Sequence, residues 1–530
     1  MNDLLLGIDI GTSGCKITAI DGQGRIVDTA FGEYRTAHPH AGWSEQNPDD
    51  WYAVARRLLR AMLARPACRA SRIAALSLDG STHNAVLADA RFRPLRPAIM
   101  WTDQRSVRQA ARLEADSGAE IFRIGYQKPT PTWTLPQLAW LAEHEPEALR
   151  RTEHVLFTKD YVRYRLTGTW ETDHIEAQGS LLYDMAGRAW SADLCRLAGI
   201  AVSILPPLVA PTDVVGAVTA AAAAETGLAA GTPVVAGCSD SAVEDYAAGA
   251  IRPGQMILKL ATAGNVNVMT AEARPHPRTL TYSHVVPGLW YTVAATNTAA
   301  SAERWFRDVF CQDECRQADE QGTSIYALLH AMAAEAPPGA EGLFFHPYLL
   351  GERSPYWDAN LRGSFVGATM RHGKGHFVRA ILEGVAYSLR DCFRTIEEMG
   401  LAVDEIRLIG GGAKSDLWAQ ILTDVFNMPI VRPEGCDASF GAALLAGVGI
   451  GLFPSEAAAV NQCVQIRDRL EPKPAAAELY AELFPVYCRI HDDLAGTYAR
   501  LAAMLDGQKA RTLPAAGGAT GSGSPTENRL

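Results

Sequence analysis

No stretch of this 530-residue chain reaches 18 uninterrupted apolar positions, which argues against a membrane-spanning helix. Basic residues are outnumbered, 49 Lys and Arg against 59 Asp and Glu, so there is no basic footprint for nucleic acid. The ten cysteines are scattered, with only Cys311 and Cys315 close together and no CxxC or His cluster. That spacing argues against a structural metal and for reduced thiols in a cytoplasmic protein. The N-terminus lacks a basic-then-apolar leader, since its apolar run is short and contains Asp9. What remains is ordinary globular composition on a chain too long for one core, and two to four domains are expected.

The most informative stretch is residues 4–16, LLLGIDIGTSGCK. An apolar run bounded by Gly reads as a strand that stops abruptly. The turn Gly11, Thr12, Ser13, Gly14 has little side-chain bulk, so its amides and two hydroxyls can approach a polyphosphate, with a cation at Lys16 behind them. Asp9, at the strand end, is placed to hold a metal ion beside those phosphates. A plain strand–turn–strand hairpin, with Asp9 satisfying turn amides, accounts for the same pattern. An acidic protein that handles a polyphosphate must neutralise it locally, and Mg²⁺ is the usual device.

Residues 17–20 and 25–27 flank a hairpin turn at 21–24. Asn47 caps a helix that Pro48 opens. Strands are expected at 73–78, 85–87 and 233–236, and a short strand joins an Ala-rich helix over 213–224. Near Gln255 the sequence MILKLATAGNVNVM echoes the opening segment, a weak internal repeat that puts two related domains across a cleft. A long helix is expected over 374–399. A strand at 406–409 ends in three glycines, and Ser415 caps a helix through 425. Residues 513–530, rich in Gly, Ser, Ala, Pro and Thr, read as a disordered tail.

Four further constellations carry chemistry. A buried strand at 233–236 runs into Gly237, Cys238, Ser239 and then Asp240, which is positioned to take a proton from a substrate hydroxyl or, more plainly, to cap the helix after it. Gly410, Gly411, Gly412, Ala413 and Ser415 let a flat ring or a phosphate lie against backbone, or make a tight strand-to-helix turn. Glu352 and Arg353, after an apolar strand over 343–350, read as a structural ion pair ahead of a ligand contact. The segments Thr82-His83-Asn84 and Trp101-Thr102-Asp103 combine one flat aromatic with many hydrogen-bonding groups, which suits a sugar or polyol. His83 reads equally well as a satisfied core histidine.

In this order, from about residue 4 to about residue 451, these segments resemble the FGGY family of carbohydrate kinases, of the actin-like, ribonuclease-H-like ATPase superfamily. Residues 363–367 (GSFVG), through His376 to Glu383, are similar to one family signature. Residues 134–146, with Trp140 in place and Gln137 at a usual lysine, are similar to the other. The segments WSEQNPDDWY, PAIMWTDQRS, TKDYVRYRLTG and FHPYLLGERSP are most similar to the family's xylulokinases.

The resemblance implies an α/β chain of two ribonuclease-H-like domains around a central cleft. Residues 1–248 would bind sugar and carry catalysis, and residues 249–505 would bind nucleotide. It implies ATP and Mg²⁺, with Asp9 at the metal and Gly11, Thr12, Ser13 and Lys16 at the phosphates. Thr262 and Gly264 would form a second phosphate turn, Gly411, Gly412, Ala413 and Ser415 would sit on the adenosine, and Asp240 would be the general base. Thr82, His83, Asn84, Trp101, Asp103 and Asp240 would meet the sugar. Ala261 and Ala263 stand where the family usually has Gly and Ser, Thr82-His83-Asn84 where xylulokinases read Met-His-Gly, and Ser241 where an Asn often follows the base. D-xylulose is the implied substrate, with ribulose, gluconate or a polyol as alternatives in the class and a non-catalytic sugar or nucleotide sensor outside it. A homodimer is the family's habit.

Overall fold

The apolar run at Leu4–Ile10 has no exposed face because it becomes a central strand, flanked on both sides and covered on both faces. The computed structural model describes residues 3–512, so the tail expected at 513–530 lies outside the described residues. Leu4–Ile10 pairs antiparallel with Gly14–Asp21 and parallel with Ile73–Gly80. Its sheet runs, edge to edge, Val214–Ala217, Pro233–Val235, Ile73–Gly80, Leu4–Ile10, Gly14–Asp21 and Ile26–Glu33.

A second sheet repeats this plan. Gln255–Leu260 pairs antiparallel with Gly264–Thr270 and parallel with Glu405–Ile409. The order is Leu280–Ser283, Trp290–Thr296, Gly264–Thr270, Gln255–Leu260, Glu405–Ile409, Ile430–Pro433 and Ile466–Leu470. The weak echo between residues 4–17 and 256–269 is therefore a repeat of topology.

The two units exchange helices. Ala438–Gly449 follows a strand of the second sheet, yet it lies on the first. A Cβ at Gly7 would stand 1.8 Å from the Ser439 carbonyl oxygen, so only glycine lets this helix reach the central strand. Asp240–Ala247 follows a strand of the first sheet, and its Tyr246 packs in one apolar cluster with Ile257, Met269 and Tyr291 of the second. The same cluster holds Leu5, Ile20 and Ala75 of the first sheet. At roughly 25 cal/mol per Å² of apolar surface, such a continuous core makes the junction a firm pivot.

Several expected elements form as read: Asn47 caps the helix Pro48–Leu63, the long helix spans Lys374–Glu398, and Ser415 caps Asp416–Phe426. The strand expected over 343–350 is cut to Phe344–His346, because the chain turns at Tyr348 to bring Glu352 inward. Glu352 accepts from the Thr296 hydroxyl (2.5 Å) and the Asn297 amide (2.8 Å), and the Arg353 side chain donates instead to the Thr296 carbonyl. The pair is thus a set of hydrogen-bonded anchors on strand Trp290–Thr296, and no direct ion pair joins the two side chains. All ten cysteines are free, and no helix among the described residues is long and apolar enough to cross a membrane.

Candidate active site

Parallel strands place their carboxyl ends together, and ligands of open α/β sheets bind beyond those ends. Here that rule gathers acids. Asp9 and Asp79 end neighbouring parallel strands in direct register. The charge of Asp240 reaches both, and that of Asp437 acts on them from the first turn of the exchanged helix. Burial, and then the Asp240 charge, push the Asp9 carboxyl well above its ordinary range, and burial with the Asp9 charge does the same to Asp79.

Two lysines answer them, each across the junction. Lys16, on the first sheet, pairs with Asp437, and Lys259, on the second, pairs with Glu244 on the helix of Asp240. The acids still outnumber the lysines, so a polyphosphate entering this cleft needs a cation with it. Among the described residues no three His, Cys, Asp or Glu side chains are arranged to hold a metal by themselves. Asp9 and Asp79 nevertheless present buried carboxylate oxygens that no N–H or hydroxyl meets, the two carboxyls touching each other. That donor set suits Mg²⁺, which takes one or two carboxylates and completes its shell with water and substrate phosphate.

Asp240 is the first residue of Asp240–Ala247, and the cap is Ser239, so the reading of Asp240 as a plain helix cap is corrected. The carboxylate sits at the positive end of the helix and accepts from the Ser241 amide at 2.7 Å. Burial raises its pKa to about 6, Lys259 opposing and Glu244 adding to the rise.

The first turn is braced from behind. Gln46 donates to the Thr12 carbonyl (2.7 Å) and the Trp101 indole N–H donates to the Thr12 hydroxyl oxygen (2.9 Å). With that lone pair taken, the Thr12 hydroxyl hydrogen is free to point at a ligand. Gly11 closes the turn onto the Gly14 carbonyl (3.1 Å), and Ser13 is exposed.

The sugar-side residues divide into two kinds. Trp101 and Thr82 are partly exposed beside the first turn, and His83 is held against Trp133 at 4.4 Å. Burial pushes the His83 pKa down to about 3, so its imidazole is neutral, and its Nδ1 has no partner. Asn84 and Asp103 are corrected: both are buried and fully engaged with protein. Asn84 donates to the Ser81 carbonyl and hydroxyl and the Thr158 hydroxyl, and accepts from the Trp101 amide at 2.6 Å. Asp103 accepts from the Ser44 amide and from the Arg105 amide and guanidinium. Arg105 in turn lies 3.6 Å over the Trp43 ring. These two residues fix the loop that presents Trp101.

On the second sheet, Thr262 is exposed, and its hydroxyl accepts from Arg304 at 3.0 Å, as Thr12 accepts from Trp101. Gly264 is buried beneath the turn, where a Cβ would stand 2.7 Å from Leu389. The three glycines after Glu405–Ile409 have different duties. A Cβ at Gly410 or Gly412 would stand 2.5 Å from Leu260, and at Gly411 it would meet nothing within 4 Å. Gly411 is therefore the open position. Ala413 is buried, and its carbonyl accepts from Arg432. The Ser415 hydroxyl caps its helix and bonds His330 Nδ1 at 2.8 Å, while His330 Nε2 meets Glu303 at 2.7 Å. Ala413 and Ser415 thus shape the loop from within, Ser415 remaining partly exposed.

Sequence reasoning missed Asp79, Asp437, Glu244, Lys259 and Arg304. Asp79 had a usable signal, since it ends an apolar strand just as Asp9 does. Asp437 had none, because its partner Lys16 lies 421 residues away in the chain.

The model for the N-terminal domain of the FGGY family of carbohydrate kinases matches residues 4–245, and that for the C-terminal domain matches residues 260–450. The chain is 34% identical to a xylulose kinase of Bacillus subtilis over 92% of this chain and 96% of that protein. It is 29% identical to a gluconokinase of Bacillus subtilis over 95% and 98% of the two chains. The crystal structure of a xylulose kinase from Rhodospirillum rubrum superposes with a TM-score of 0.85 at 31% identity, covering 94% of this chain and all of that one. With both domain models matched along most of its length, this chain belongs to the FGGY family of carbohydrate kinases, sugar phosphotransferases built on the two-domain actin-like ATPase fold.

Proposed function

We propose that the enzyme transfers the γ-phosphoryl group of ATP to a primary hydroxyl of a ketopentose, D-xylulose, in the cytoplasm. The observation that carries this is the position of Asp240, a carboxylate at a helix start beside Asp9 and the Lys259 side of the second turn. Residues 1–248 would hold the sugar and residues 249–505 the nucleotide. His83, Trp101 and Thr82 form the sugar wall, and Asn84 and Asp103 keep it in place.

Gly411 leaves room for the adenosine, and the Thr12 and Thr262 hydroxyls, each oriented by an N–H donor behind it, donate to phosphate oxygens. Asp240 accepts the hydroxyl proton as the sugar oxygen bonds to phosphorus and the bond to ADP breaks. A carboxylate with a pKa near 6 is ionised at neutral pH yet basic enough for this late proton transfer. Mg²⁺, held through Asp9, neutralises phosphate charge when bound. Closure of the two units about their shared core excludes water from the cleft.

The test is ADP release measured against a panel of pentuloses, hexuloses, aldonates and polyols. D-xylulose should give the highest kcat/KM. The gluconokinase similarity makes gluconate the specific rival, and a higher value for gluconate would replace the ketopentose assignment. If no compound raises ADP release above slow ATP hydrolysis, the kinase reading fails and a sensor on this fold takes its place.

A further inference from the structure

Asp79 is the one carboxylate at the strand ends to which the proposed transfer gives no task. It is 0% exposed, no N–H or hydroxyl donates to either of its carboxylate oxygens, and its side chain meets only the Asp9 carboxyl at hydrogen-bond distance. Its parallel register with Asp9 puts the two carboxyl groups side by side on one face of the sheet. Asp9 Oδ1 is likewise buried and without a donor. No Lys or Arg among the described residues pairs with either acid, since Lys16 is taken by Asp437 and Lys259 by Glu244.

The contrast with other buried acids of this chain is direct. Asp103 is equally buried, and each of its oxygens accepts from Arg105. Glu352 accepts from a hydroxyl and two backbone amides. Asp103 and Glu352 are thus surrounded by donors, whereas Glu176, equally buried, keeps an oxygen without one. A buried carboxyl with none is costly, and native proteins keep such groups for an ion, a water or chemistry. Two carboxyls together, with no protein N–H or O–H aimed at them, offer hard oxygen ligands to a divalent cation and leave its other positions to water.

We propose that Asp9 and Asp79 together form a divalent-cation site on the nucleotide-free enzyme, so that the cation is held in the cleft before ATP arrives. The inference rests on the assignment of Asp9 to Mg²⁺ above and gives Asp79 an equal share in that site. The pair fixes the ion at the carboxyl ends of the first sheet, facing the second phosphate turn.

Mn²⁺ alone serves as the probe, with the full chain and no nucleotide, and free Mn²⁺ is read by electron paramagnetic resonance. The wild-type protein should bind one ion. Asp79→Asn and Asp9→Asn should each weaken that binding about 10- to 100-fold. Mg²⁺ alone should raise the thermal midpoint of the wild type and leave that of Asp79→Asn unmoved. If Asp79→Asn fails to fold, Asp79→Ser, smaller and neutral, makes the same test. Two results would overturn the proposal: no Mn²⁺ bound by the wild type without nucleotide, or unchanged binding in the Asp79 variants, which would mean that the two carboxyls only share a proton. Sugar-dependent ADP release by the wild type separates either failure from failure of the kinase reading.

Discussion

The two small-residue turns sit at equivalent places in the two sheets, and they differ most at the residue before the strand's last position. That residue is Asp9 in the first unit and Lys259 in the second. The strands also close differently. Three residues separate the strands in each unit, yet Ile10 pairs with Cys15 across the first turn and Leu260 with Gly264 across the second, so the second closes one residue shorter in register. The first has two hydroxyls, Thr12 and Ser13, and the second has Thr262 alone between Ala261 and Ala263. Repetition thus supplies two small-residue turns, and divergence gives the strand ends before them opposite charge. A carboxylate on one side suits a metal ion. An ammonium on the other, paired with Glu244 beside Asp240, suits the phosphoryl group on its way across. The charges complement one another only because the exchanged helices bring both strand ends to one cleft.

The comparison breaks first at the acids. Asp240→Asn should lower kcat by about 10²- to 10⁴-fold, the range for loss of a positioned general base, with sugar binding still detectable by calorimetry. Retained turnover would place the base elsewhere. Asp9→Asn should cost about 10²- to 10³-fold in kcat, as loss of a charge-stabilising group does, and raising Mg²⁺ should restore part of it. If Asp9→Asn lost no more than Lys259→Met, the two strand ends would not have separate duties.

Lys259→Met should cost less, about 10-fold in kcat, in line with loss of one charge-assisted contact. It also has a signature in pH. Asp240 must be ionised to accept a proton, so kcat/KM should fall below its pKa of about 6. Lys259 holds that value down against burial and Glu244, so in Lys259→Met the acid limb should move to higher pH. An unmoved limb would separate the lysine from the base. The same shift bears on stability. A carboxyl raised from 3.8 is harder to ionise in the folded chain than in the unfolded one, so its contribution is lost as pH rises from about 4 through about 6. Asp240→Asn should therefore gain thermal stability over the wild type at pH 8 and show no gain at pH 4.

What the chain discloses on its own follows the range of the interactions. The central strands were legible because their burial needs an apolar run, and the turns because small residues leave few other conformations. Asp240 was legible as a strand-end acid, though its place inside the helix was not, since Ser239 and Asp240 are both good caps. The duties of Asn84 and Asp103 were not legible, and of Ser415 only the helix cap was, not its bond to His330. A polar residue near a cleft reads as a ligand contact until its partners are known, and those partners (Thr158, Ser44 and His330) lie in other elements. The acid cluster was half legible. Asp79 repeats the pattern of Asp9, but Asp437 and Glu244 enter only through helices that cross between the two units.

The smallest expected effect tests the composition of the turns. If Ala263 merely removes one hydroxyl from an otherwise equivalent phosphate turn, Ala263→Ser restores one neutral hydrogen bond. Such a bond is worth about 1 kcal/mol, or about fivefold in affinity. KM for ATP should fall by that factor while kcat and KM for the sugar stay put. If the shorter turn has its own geometry, a serine at 263 cannot reach the phosphates, and KM for ATP will not move. Ser13→Ala in the first turn is the reciprocal variant, and a fivefold rise in KM for ATP there with no fall for Ala263→Ser would show that the two turns no longer hold the nucleotide in the same way.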